Sequence, residues 1–179
     1  MGEKHFVTAP LPSGVRFRWQ GVIDFAELYR FMKWWWQDNG FCDTDGFTEG
    51  EKSIEKKFVE RRMAGGVKNV EVDWAGMMQP KGSDYFRYQI GMTILILGMR
   101  DEDVELRGVK RKLDRGDFDI RMHAYVETGF SGEWEKSTFK RIYYKFIIQK
   151  RLQMHKRDLY ILFYRFQNAV KDYVQNQRY

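Results

Sequence analysis

The stretch YFRYQIGMTILILGM, residues 85–99, decides the fold class. Phe86, Tyr88, Ile90, Met92, Ile94 and Ile96 are all even-numbered and all apolar. Side chains alternate between the two faces of a strand, so this period of two gathers them on one side of a sheet. The other side carries Arg87, Gln89, Gly91 and Thr93 and turns apolar only at Leu95 and Leu97. Such a strand has one face for the core and one for water, as antiparallel sheets do. Its length, with Gly91 inside it, predicts a bend or a bulge.

Similar patterns lie on both sides. Residues 104–107, 109–113 and 117–128 read as further strands, with turns at Gly108 and at Asp114-Arg115-Gly116. In the last of them Phe118, Ile120, Met122, Ala124 and Val126 share a face. Upstream, residues 54–63 and 67–74 read as two strands joined at Gly65-Gly66, followed by a turn at residues 79–83. Nearer the start, Val15, Phe17 and Trp19 alternate with Arg16, Arg18 and Gln20 in a half-buried strand. Consecutive strands with short turns make an antiparallel meander. No strand–helix–strand crossover is visible, which argues against a parallel sheet.

Helical spacing occurs twice. Asp24 sits as an N-cap with Glu27 three residues on, and Gly40 suits the left-handed position after a helix ending near Asn39. Phe41 then supplies the accompanying apolar contact. At the other end, Ser137 is an N-cap candidate before the stripe Phe139, Ile142, Tyr143, Phe146 and Ile147. A second stripe holds Leu159, Leu162, Phe163, Phe166, Val170, Tyr173 and Val174. At about 100° per residue the two stripes are roughly half a turn out of phase. The expectation is a break between Lys150 and Asp158. The fold expected is α+β: a curved antiparallel sheet of about six strands in the order β-α-β-meander-α-α. The first helix and two C-terminal helices pack on one face. Residues 1–14 are read as an N-terminal tail and residues 15–179 as a single domain.

Composition agrees with one globular domain. The chain has 179 residues, 43% of them hydrophobic and 31% charged, so a core and a solvated surface are both available. Aromatic residues make up 17%, and each buried ring removes a large area from water. The single cysteine, Cys42, permits no disulfide within the chain. No basic region followed by an apolar run opens the sequence, and no apolar stretch approaches the ~20 residues of a spanning helix. The expected location is cytoplasmic. Net charge is +6, unevenly placed: residues 136–179 hold 11 Lys/Arg against 2 Asp/Glu. The rest of the chain is slightly acidic. Such asymmetry points to an anionic partner.

Two features bear on binding. On a helical wheel Met32, Phe25, Leu28, Tyr29, Trp35 and Trp36 form one stripe, while Trp34 falls about 160° away among polar residues. Trp34 is either a contact residue for a partner or is covered by a loop. The second feature is the set Lys140, Arg141, Lys145, Lys150, Arg151, Lys156, Arg157 and Arg165, interleaved with aromatics. Cations of this kind contact phosphates without reading sequence, and they also clothe ordinary amphipathic helices.

Signatures of chemistry are lacking. Asp43, Asp45, Glu49 and Glu51 cluster in a loop, but Phe47 breaks the EF-hand spacing. His5, His123 and His155 are far apart, and none makes a zinc-type spacing with Cys42. His123 is expected on the polar side of its strand, as a surface imidazole. Gly65-Gly66 lacks the Lys-Ser/Thr of a phosphate loop, and no nucleophile elbow exists. The sequence calls for no metal, no cofactor and no catalytic residue.

Several blocks together resemble a family. They are Asp24-Phe25-Ala26-Glu27-Leu28-Tyr29 with Asn39-Gly40-Phe41, Val70-Glu71-Val72-Asp73-Trp74, and Asp84-Tyr85 leading to Gly98-Met99. Asp119-Ile120-Arg121-Met122, Gly132-Glu133-Trp134-Glu135-Lys136-Ser137, Tyr144-Lys145-Phe146-Ile147-Ile148 and Asp158-Leu159-Tyr160 complete the set. The chain resembles, over residues 15–175, a family of small archaeal proteins of unknown function. The resemblance implies one coherent domain and carries over no catalytic residue.

The expectation for function is a non-enzymatic intracellular interaction protein. It would bind an anionic partner, a nucleic acid or an acidic protein, through the basic C-terminal helices and Trp34. The alternative is a carrier or sensor of an apolar small molecule, by analogy with START-like folds. Its cavity would lie between sheet and helices, lined by Trp19, Tyr88 and Met92. An enzyme would need a cleft with converging titratable groups.

Overall fold

The computed structural model describes residues 2–11, 13–42, 54–106, 109–129 and 148–176. Its elements are β1 (Glu3–Phe6), β2 (Val15–Ile23), α1 (Phe25–Asp38), β3 (Glu55–Arg62), β4 (Lys68–Met78), β5 (Phe86–Leu106), β6 (Val109–Thr128) and α2 (Gln149–Asn176). The six strands form one antiparallel sheet in the order β1-β6-β5-β4-β3, with β2 also paired to β6. The chain is α+β, and among the described residues it has two α-helices.

The period of two in β5 sets the core. Ile90, Met92, Ile94 and Ile96 are buried, beside Ile120, Met122 and Ala124 of β6 and Val70, Val72 and Trp74 of β4. Over this face lie the buried side of α1, with Leu28, Met32 and Trp36, and that of α2, with Leu159, Phe163, Phe166 and Val170. The two helices touch through aromatic pairs: Trp35 with Phe166 at 4.9 Å and Phe31 stacked on Tyr173 at 4.8 Å.

Local chemistry fixes the ends of α1. Asp24 accepts the Glu27 backbone N–H at 2.8 Å. At the other end the Phe41 N–H bonds to the Trp36 carbonyl and the Gly40 N–H to that of Gln37, with Gly40 at φ 79°. This is the six-to-one and five-to-two pattern of a Schellman cap, and buried Phe41 packs on Trp36.

The structure departs from the sequence reading in four places. Residues 3–6, read as tail, form β1 along the end of β6, from Glu3 opposite Thr128 to Phe6 opposite Tyr125. No turn interrupts β6 at Asp114-Arg115-Gly116. There the strand runs on, paired with β5 on one side and β2 on the other. The Asp114 carboxylate accepts the Phe25 N–H at 3.2 Å, so a turn-forming residue serves the start of α1 instead. The irregularity of β5 lies between Leu97 and Arg100, at Gly98 with φ 65°, and not at Gly91. Finally, α2 is continuous from Gln149 through Asp158, without the expected break. Ile148, Leu152, His155 and Leu159, spaced four, three and four, carry its inner side across that point. The stripe at residues 139–147, and with it the first of the two expected C-terminal helices, lies outside the described residues.

The outer face of the sheet is laced with ion pairs. Arg16 and Arg121 both hold Asp119, Arg18 holds Asp117, Arg87 holds Glu127, and Lys57 holds Glu71. A chain of hydrogen bonds extends one of them, from the Tyr125 hydroxyl to Gln89 and from Gln89 to Glu127.

Candidate binding surface on helix α2

The cations in the first part of α2 differ from the paired cations of the sheet named above. Residues 149–165 carry Lys150, Arg151, Lys156, Arg157 and Arg165 against one carboxylate, Asp158. None of these five cations makes an ion pair with another described residue, whereas the sheet cations named above are held by carboxylates. Helical spacing explains the difference. The inner line of α2 is committed to the core, so its charges project from the turns that face water.

Apolar groups share that outer surface. Met154 is 60% exposed, Tyr160 48% and Ile161 47%. Lys150, Met154, Arg157 and Ile161, spaced four, three and four, form one ridge down the helix. Beside it Tyr160 and Tyr164 lie with ring centroids 4.5 Å apart. Burial, with Tyr160 as neighbour, pushes the Tyr164 hydroxyl pKa up, which keeps that ring neutral. The surface thus alternates cations that lack ion-pair partners among the described residues with open aromatic and aliphatic side chains.

Trp34 stands on α1, 59% exposed and turned away from the core that takes Trp36. Residues 43–51, one of the two loops that could cover Trp34, lie outside the described residues. Lys140, Arg141 and Lys145 lie outside the described residues, as does the acidic loop with Asp43, Asp45, Glu49 and Glu51. Among the described residues no group of three or more His, Cys, Asp and Glu side chains is placed to hold a metal ion.

Trp19, Tyr88 and Met92 sit on the core side. Met92 is 1% exposed, and Trp19 packs on Phe118 with centroids 5.0 Å apart. Tyr88 meets His155 of α2, its hydroxyl 2.7 Å from Nδ1. That contact ties helix to sheet and joins two residues the sequence kept apart. Burial pushes the Tyr88 pKa up to about 12 and pulls that of His155 down, so both groups are neutral at pH 7. The aromatic and polar character of each residue was legible. Their meeting depends on the phase of α2 over β5, which the sequence does not display.

No family model, curated protein or solved structure matches the chain. No described helix is long and apolar enough to cross a membrane.

Proposed function

We propose that the protein is a non-enzymatic binding protein whose anionic partner is a nucleic-acid strand, held along the outer surface of α2. One observation carries the reading: five cations within residues 149–165 lack ion-pair partners among the described residues. Cations already matched by carboxylates have little to offer a phosphate, and Arg16, Arg18, Lys57, Arg87 and Arg121 of the sheet are so matched. Free cations release condensed counterions from a polyanion, the main source of affinity for nucleic acids. The open Tyr160 ring beside Arg157 favours a nucleic acid over an acidic protein, because bases stack on exposed aromatics.

The test is fluorescence anisotropy with a labelled single-stranded oligonucleotide across a salt series. Binding at low salt should weaken steeply as salt rises, with a slope that shrinks by roughly 0.7 for each phosphate contact removed. The double charge reversal Lys150→Glu, Arg157→Glu should abolish it, and Tyr160→Ala should cost about 1–3 kcal/mol. No binding at low salt ends the proposal. Displacement by polyglutamate, with no effect of Tyr160→Ala, redirects it to an acidic protein surface.

A further inference from the structure

The outer face of the sheet holds a hollow in its middle, on the side away from both helices. It arises where small side chains stand side by side: Ala75 of β4 lies opposite Gly91 of β5, and Asp73 lies opposite Thr93 one step along. Taller residues ring this low ground, among them His123 and Tyr125 of β6 and Gln89 of β5. The space within it, open to solvent on one side, is about 340 Å³, the size of a small-molecule site.

Two features of the hollow lack a purpose in the fold. The first is Asp73. Glu71, Asp117, Asp119 and Glu127 on the same face each have an Arg or Lys. Among the described residues Asp73 has only the Thr93 hydroxyl, at 2.7 Å. Lys57 faces it across the strands but donates to Glu71 at 2.6 Å. Lys56, on the same rim, has a partner of its own. A half-buried carboxylate holding one neutral hydrogen bond is incompletely matched. The second feature is His123, whose ring sits against the backbone of Gly91. A Cβ at position 91 would stand 2.1 Å from its Cε1. The ring's Nδ1 is sealed and without a hydrogen-bond partner among the described residues. Burial lowers its pKa, with Lys4 adding to the effect, which favours the neutral imidazole. The His123 and Tyr125 rings are nearly parallel, at an interplanar angle of 13° with centroids 6.1 Å apart, and both border the hollow.

We infer that this hollow is a binding site for a small aromatic primary amine. Its ammonium donates to Asp73 and its ring packs against His123 and Tyr125. A carboxylate and an ammonium form a charge-assisted hydrogen bond, and the partly dry setting strengthens it. The neutral imidazole matters here, because a protonated ring would repel the ligand.

The experiment uses the full chain, labelled with 15N, and benzylamine as probe, with benzyl alcohol as its uncharged counterpart. Benzylamine should give saturable shifts of the Gly91 and Thr93 amides and of the His123 ring proton. The alcohol should bind about tenfold more weakly or worse, and Asp73→Asn should weaken benzylamine by about the same factor. Asparagine keeps the shape of the site and the bond from Thr93, so that variant stays folded. Ala75→Leu, which fills the hollow, should abolish the shifts. The inference is overturned by an absence of saturable shifts at Gly91 and Thr93, by equal binding of the alcohol, or by undiminished binding in either variant.

Discussion

Gly76 has no room for a methyl group. A Cβ there would come within 2.9 Å of the Trp36 ring and 3.3 Å of the Phe41 Cβ, both fully buried. Gly76→Ala should therefore destabilise the fold by about 1–3 kcal/mol, read as a lower urea midpoint. Acid sensitivity has an equally local source. The hydrogen bond from Arg16, helped by Arg121, holds the Asp119 pKa down to about 2. An unfolded aspartate titrates near 3.9. The folded state thus takes up its proton later than the unfolded state. The stabilisation is complete above about pH 4 and drains away as pH falls through the folded value. Asp119→Asn should give a flatter profile of urea midpoint against pH over that window. Single residues were also where the sequence was hardest to read. Asp114 carries the side chain of a turn former, yet it caps the backbone of a distant helix. The fit of His123 over Gly91 depends on a cross-strand register that no local pattern encodes.

At the level of elements, legibility followed locality. Both ends of α1 were readable because an N-cap and a glycine C-cap are written within a few residues of the turns they satisfy. The alternation in β2, β4 and β5 was readable for the same reason. The break expected in α2 was not found, because that expectation extrapolated one apolar stripe into another. In the structure half-buried Leu152 and His155 bridge the interval. The two tryptophans of α1 should separate cleanly. Trp36→Ala empties a fully buried site and should cost about 3–5 kcal/mol, while Trp34→Ala should change stability by less than about 0.5 kcal/mol. Tyr88→Phe deletes the hydroxyl that meets His155 and should cost about 1 kcal/mol in denaturant unfolding. The basic excess behind the candidate surface was plain in the sequence. Which of those cations lack carboxylate neighbours required the fold.

On the scale of the whole molecule, the sheet separates two surfaces. The amine hollow opens on its outer face, and α2 lies across its inner face, so a thick apolar layer stands between the two proposed sites. Sites that share no side chains should behave additively. Asp73→Asn should leave oligonucleotide affinity unchanged, and the Lys150→Glu, Arg157→Glu pair should leave benzylamine binding unchanged. Cross-talk in either titration would show that the two faces are not insulated.

The β5–β6 hairpin bears on how the chain reaches this state. Its outer end runs from Asp101 opposite Asp114 to Leu106 opposite Val109, pairing Asp103 with Lys112 and Glu105 with Lys110. These neighbours are close along the chain, and the last two named pairs are opposite in charge, so the ribbon can zip up from its tip with little loss of loop entropy. β1, by contrast, must wait for the far end of β6, more than a hundred residues away in sequence. During refolding, pulsed hydrogen exchange should find amides near the ribbon tip guarded early and those of Glu3–Phe6 guarded last. The N-terminal strand is then a clasp, shut only after the rest has assembled.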